Sequence, residues 1–194
     1  NKSASSLLHD EEIIVAIITP PGEGGISALR LCGRRSRSVL AKHFQSSKGE
    51  KPQDFQPFLM KFGHFIGKQG NEIDEILAVY MPQGHSYTGQ EQVEIFCHGG
   101  NQAAKKILDA LIESGARAAE PGEFTKLAFL SGRIDLSKAE AVSEIIRAST
   151  EKSFDIAKNH LLGNYSAVIE SLRQELIELI AEVEASIDFP EEEI

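Results

Sequence analysis

Apolar residues alternate with polar ones, or run in short β-branched stretches, as far as Arg133. Beyond it they recur only every third or fourth position. A period of two belongs to a strand with one face buried, and a period near 3.6 to a helix with one apolar face. This change of period most constrains the fold. Residues 1–132 read as an α+β domain on roughly five strands with helices between them. Residues 133–194 read as all-helical.

Residues 12–19, EIIVAIIT, are expected to form a strand buried on both faces. PPGEGG at 20–25 stops it, and ISALRLC at 26–32 forms the next strand. Ser36 is placed to cap a short helix reaching Phe44. Residues 45–56 read as a polar loop, and 59–66 and 75–81 as strands joined by a hairpin loop at 67–71. The stretch SYTGQEQVEIFCHGG, 86–100, opens on a turn, becomes a strand over 92–97 and ends in a glycine pair, where backbone turns sharply or approaches something closely. Helices are expected over 101–113 and 122–131. Ser137 to Glu140 fits a capping box, Thr150 caps the next helix, and Gly163 marks a break or a close packing point. Leu161, Tyr165, Val168, Leu172, Leu176, Leu179 and Val183 form an apolar stripe too long to be satisfied alone. The final residues, DFPEEEI, carry no helix-ending logic, so the chain reads as cut.

The net charge of −9 argues against broad electrostatic binding of nucleic acid by this segment. Its one basic cluster, Arg34, Arg35 and Arg37, reads as solvated surface. No apolar run approaches the ~20 residues of a membrane span. The first twelve residues lack the pattern of a secretory signal and read as a disordered lead-in. Cys32 and Cys97 lie inside expected strands and read as buried thiols of a cytoplasmic protein.

Several motifs are weighed and set aside. PPGEGG leads into a strand and not a helix, so a tight turn is favoured over a phosphate cradle. GHFIGKQ at 63–69 has one residue too few between its glycines, and Gln where a P-loop needs Ser or Thr, so nucleotide hydrolysis by this chain alone is not expected. CHGG resembles an oxyanion-hole loop, but G-x-S-x-G is absent. The six histidines show no metal-ligand spacing.

Arg30 and Glu94 remain, each in the middle of an expected core strand. A charge there is costly unless it is paired or binds something. Either the two form an internal ion pair, or they line a pocket. In a pocket, a carboxylate accepts two parallel hydrogen bonds from a ligand edge bearing adjacent N–H donors, such as a pterin, and a guanidinium offers a fixed fork to carboxylates or carbonyls. Arg133 is placed to supply a second cation.

The blocks ITPPGEGGISALRLCG, SYTGQEQVEIFCHGG, GARAAEPGEFTKLAFLSGRIDLSKAEAVSEIIRAST and IDFPEEEI occur in that order, and the chain from about Ile13 onward resembles the N-terminal part of the TrmE/MnmE family of tRNA-modification GTPases. The resemblance implies an α+β domain like the folate-binding domains of one-carbon enzymes, forming a homodimer. It implies 5-formyltetrahydrofolate or a related tetrahydrofolate bound near the dimer interface, then a helical domain into which a GTPase domain is inserted. GTP, magnesium and potassium would belong to that GTPase domain, absent here. The family works with an FAD-containing partner protein to place an aminomethyl-type group on carbon 5 of the wobble uridine of certain tRNAs, with folate as one-carbon source. Carried over by position, the folate contacts are Arg30, Glu94 and Arg133. Arg133 stands where the family has Lys, so a planar fork replaces a point charge. Gln90 and Gln92 depart from the family's more usual acidic pattern, a difference expected to act on the surface more than on the pocket.

Overall fold

The computed structural model describes residues 12–188. The expected lead-in and the closing DFPEEEI lie outside the described residues, apart from Glu12 and Asp188. Seven strands form one mixed sheet: β1 (Ile14–Ile17), β2 (Ile26–Cys32), β3 (Phe44–Gln45), β4 (Lys61–Ile66), β5 (Glu72–Met81), β6 (Gln92–His98) and β7 (Arg117–Ala118). Their order is β3-β4-β5-β6-β2-β1-β7, antiparallel throughout except for β1 against β7. The five long strands are those read from the sequence. β3 and β7 have two residues each, too few to show a period. β1 is shorter than expected. Ile14 and Val15 are buried, but Ile17 is half-buried and Ile18 is exposed, so burial on both faces does not extend to Thr19.

Alternation sorts the central strands into two faces. Leu29, Leu31, Val93 and Ile95 point to one face and are wholly buried. There they meet α2 (Asn101–Glu113), whose Ala104, Ile107 and Leu111 fall on one helical stripe and are equally buried. Each of the Val, Ile and Leu side chains contributes about 1.5–3 kcal/mol relative to exposure. α2 begins directly after Gly99 and Gly100. Gly99 donates its N–H to the Gly25 carbonyl at 3.1 Å, and a Cβ built on it would collide with the carbonyl of Gly24 and stand 2.9 Å from the Ile26 nitrogen. The PPGEGG loop therefore joins two antiparallel strands and packs by backbone on this glycine.

Two helix starts differ from expectation. α1 (Ser36–Leu40) has Arg35 at its cap, with φ of 84°, and Ser36 lies inside the helix. The Ser36 hydroxyl instead donates to Glu91 Oε1 at 3.1 Å, tying α1 to the start of β6. α1 ends before Phe44 because Phe44 and Gln45 join β3, and the rest of the expected loop holds a short 3₁₀ turn at Pro52–Asp54. α3 spans Glu123–Leu130.

The chain divides between Arg133 and Ile134 into two compact units. The second contains α4 (Leu136–Arg147), α5 (Glu151–Leu161) and α6 (Asn164–Asp188). α4 is capped by Asp135, which accepts from the Lys138 N–H at 2.8 Å, and not by Ser137. Thr150 caps α5 as expected, and Ser153 completes a reciprocal capping box with it. Gly163, at φ 83°, separates α5 from α6. Along α6, Leu172, Leu176, Leu179 and Val183 are each more than half exposed within the described chain (51–59%). Tyr165 of the expected stripe lies outside the described side chains.

Candidate functional site

The second face of the sheet carries the charges. Arg30 on β2 stands directly opposite Glu94 on β6. Arg30 Nε donates to Glu94 Oε1 at 3.0 Å and Nη2 lies 2.8 Å from the same oxygen. The internal ion pair anticipated as one of the two sequence readings is thus present. It is not sealed, since 18% and 14% of the two side chains remain accessible.

Residues that periodicity did not single out complete the surroundings. The Arg30 guanidinium lies 5.0 Å from the ring centre of Tyr87 and 5.3 Å from that of Phe124, both within cation–π reach. Tyr87 sits in the loop between β5 and β6, and its hydroxyl is 3.0 Å from the Thr125 hydroxyl of α3. Thr88 in the same loop bonds the Cys32 thiol at 3.0 Å. The start of α3 is fixed by Arg117, which bonds Glu123 at 2.8 Å and Glu12 at 2.9 Å. Hydrogen bonding from Arg117 holds the Glu123 carboxyl below its ordinary range. That contribution is present above the ordinary Glu range and fades as pH falls through the lowered value.

Glu94 Oε1 also accepts from Gln92 Nε2 at 3.1 Å. Two hydrogen bonds and the ion-pair contact therefore converge on one oxygen, and Oε2 has no partner among the described residues. A ligand N–H reaches Oε2 directly, whereas two parallel bonds to the carboxylate require a donor to leave Oε1. Gln92 is wholly buried, which overturns the expectation that it acts on the surface. It lies on the same face as Glu94, between Cys32 on β2 and Met81 on β5. Gln90 is half-buried. Arg133 is exposed and makes no hydrogen bond to Arg30 or Glu94. Its Nη1 donates to the Gly84 carbonyl at 3.1 Å, on the loop that also carries Tyr87. The structure therefore joins Arg30 to Glu94 directly and Arg133 only to their covering loop.

Toward the other end of this face lies a cavity of about 310 Å³ lined by Ile26, Phe62, Leu77, Phe96 and His98, among others, but by neither Arg30 nor Glu94. His98 Nδ1 is 2.7 Å from Asp74 Oδ1, and its backbone N–H donates to Oδ2 at 2.8 Å. Hydrogen bonding to Asp74 raises the His98 pKa above the ordinary 6.5. A raised pKa stabilises the fold fully below pH 6.5, and the contribution is lost as pH rises through the raised value. An NMR titration is expected to find the His98 midpoint above 6.5 and to find it lowered in Asp74→Asn. An unchanged midpoint in that variant would contradict the pairing.

Cys32 and Cys97 are free and buried, and desolvation pushes each thiol up to about 11. They stand opposite Gln92 and Ser27 in the β2–β6 ladder, about 17 Å apart along the strands, too far to bridge. In the basic cluster, Arg37 stacks 3.9 Å from the Tyr80 ring centre and pairs with Glu91 at 3.7 Å. Among the described residues there is no cluster of three or more potential metal ligands, and no helix is long and apolar enough to cross a membrane.

A mixed sheet backed by one helix, bearing an opposed charge pair on its other face and followed by a helical unit, defines an α+β domain joined to a helical domain. Residues 13–133 match the family model described as GTP-binding protein TrmE N-terminus, and residues 136–194 match the MnmE helical domain. The chain is 44% identical over 185 residues to the tRNA modification GTPase MnmE of Alkaliphilus metalliredigens, covering 95% of this chain and 40% of that protein. It is 46% identical over 181 residues to the protein of that name from Lactiplantibacillus plantarum, covering 93% and 38%. For the Thermotoga petrophila protein the figures are 43% over 182 residues, 93% and 39%. The chain belongs to the TrmE/MnmE family, and it spans about 40% of the length of these relatives.

Proposed function

We propose that residues 1–132 form a domain that binds a tetrahydrofolate derivative, 5-formyltetrahydrofolate or a relative of it, at Arg30 and Glu94 and forms a homodimer. Residues 133–194 are then the first part of a helical domain. The observation that carries this reading is the half-used carboxylate. Glu94 gives Oε1 to Arg30 and Gln92 and keeps Oε2 for a donor from outside the chain. A pterin supplies an N–H donor for the open oxygen, and the Tyr87 and Phe124 rings near Arg30 offer flat apolar surface to a fused heterocycle. Arg133 serves through the loop it braces. The exposed Ile26, Phe62 and Leu77 on the same face of the sheet are suited to a second copy of the domain.

The relatives are named tRNA modification GTPases. The proposed role of the whole protein is therefore GTP-dependent modification of the wobble uridine of tRNA, in the cytoplasm, with an FAD-containing partner and with folate as one-carbon donor. No P-loop occurs in these 194 residues. Binding of GTP, magnesium and potassium is assigned to the part of the relatives' length that this chain does not span. Titration calorimetry with 5-formyltetrahydrofolate tests the reading. Saturable binding to the folded chain is expected, and no heat of binding would count against it.

One observation favours a second reading. The 2.8 Å contact between Arg30 and Glu94 is also what a non-catalytic homodimerisation module with an internal ion pair would show. That reading expects Glu94→Ala to unfold the domain and folate to have no stabilising effect.

A further inference from the structure

Gln92 is wholly buried, yet its Oε1 has no hydrogen-bond partner, the one such buried side-chain oxygen or nitrogen among the described residues. A buried acceptor left unpaired is costly, and an apolar side chain of similar volume would fill the same space without that cost. The neighbours point the same way. Gln92 stands opposite Cys32 on β2 and Met81 on β5 and makes only a 3.4 Å contact to the Met81 sulfur besides its bond to Glu94. The packing here does not call for an amide.

What the amide does provide is a donor. Gln92 and Glu94 are two residues apart on one strand and so share a face. Gln92 Nε2 reaches Glu94 Oε1 at 3.1 Å, beside the Arg30 Nε hydrogen bond at 3.0 Å and the Nη2 ion-pair contact at 2.8 Å. With both of the chain's hydrogen bonds to this carboxylate on Oε1, Oε2 is left open. We propose that Gln92 is a positioning residue, whose amide N–H locks Glu94 with Oε2 presented to the ligand while its own carbonyl oxygen stays unpaired. This rests on the folate reading given above.

The test compares wild type, Gln92→Met and Gln92→Glu in the full 194-residue chain, by calorimetric titration with 5-formyltetrahydrofolate and by thermal melts without ligand. Gln92→Met removes the donor and the orphaned oxygen together. Its melting midpoint is expected to equal or exceed that of wild type, while its Kd rises about tenfold, the size of one hydrogen bond to a charged group. A merely structural role would move these readouts the other way, lowering the midpoint and leaving Kd unchanged. Gln92→Glu keeps the shape and sets a second negative charge against Glu94, so a larger loss of affinity than in Gln92→Met is expected near neutral pH. The proposal is overturned if Gln92→Met binds as wild type does, if it fails to fold, or if Gln92→Glu binds at least as well as Gln92→Met. Wild type that takes no ligand would overturn the folate reading itself, and this inference with it, an outcome distinct from a failure at Gln92.

Discussion

Glu94→Ala is expected to weaken binding of 5-formyltetrahydrofolate by about 30- to 1,000-fold, or ~2–4 kcal/mol, while leaving the domain folded. The loss follows from removing the one carboxylate oxygen that the chain leaves open, together with the partner that orients Arg30. The fold survives because Arg30 is neither sealed nor dependent on Glu94 alone. Its guanidinium keeps the Tyr87 and Phe124 rings and its access to water. Removing one partner of a buried ion pair costs about 3–5 kcal/mol, and less for a side chain that keeps access to water, against the 5–15 kcal/mol typical of a domain. Circular dichroism beside the titration separates the two effects.

The second large effect is on stability. Gly99→Ala is expected to destabilise the domain by ~3 kcal/mol or more, measured by urea denaturation. The new methyl would meet backbone, the Gly24 carbonyl of the β1–β2 loop and the Ile26 nitrogen at the start of β2, and backbone cannot rotate aside as a side chain does. Gly25→Ala is the control. A Cβ there meets nothing within 4 Å, so a change within about 0.5 kcal/mol is expected. Equal stabilities for the two variants would contradict the close approach of the β1–β2 loop to the start of α2.

The long elements were legible because their periods are long enough to read. α2 begins and ends where the apolar stripe of 101–113 does, and Gly99 was marked by its place between strand and helix. The two-residue strands were not legible, since they exist only through pairing with distant partners, Phe65 and His64 for β3, and Ile14 and Val15 for β7. Side-chain capping misled at Ser36 and Ser137. Ser36 finds an acceptor 55 residues away in Glu91, and Asp135, an equally good cap two residues earlier, starts α4 before Ser137 can. At the site, two charges in core strands were visible without any family, but the choice between ion pair and pocket was not. It depends on which carboxylate oxygen each donor takes, and one carboxylate turns out to have an oxygen engaged and an oxygen open. Tyr87 and Phe124 carried no periodic signal, because a loop and a helix bring them to Arg30 from 57 and 94 residues away.

The most direct measurement is a thermal melt of wild type and Glu94→Ala, each with and without saturating 5-formyltetrahydrofolate. A ligand that binds only the native state raises the midpoint by mass action. At one and the same ligand concentration the folate site predicts a clear rise for wild type and a much smaller one for a folded Glu94→Ala. A wild-type midpoint that does not move, or an equal rise in both chains, would contradict it.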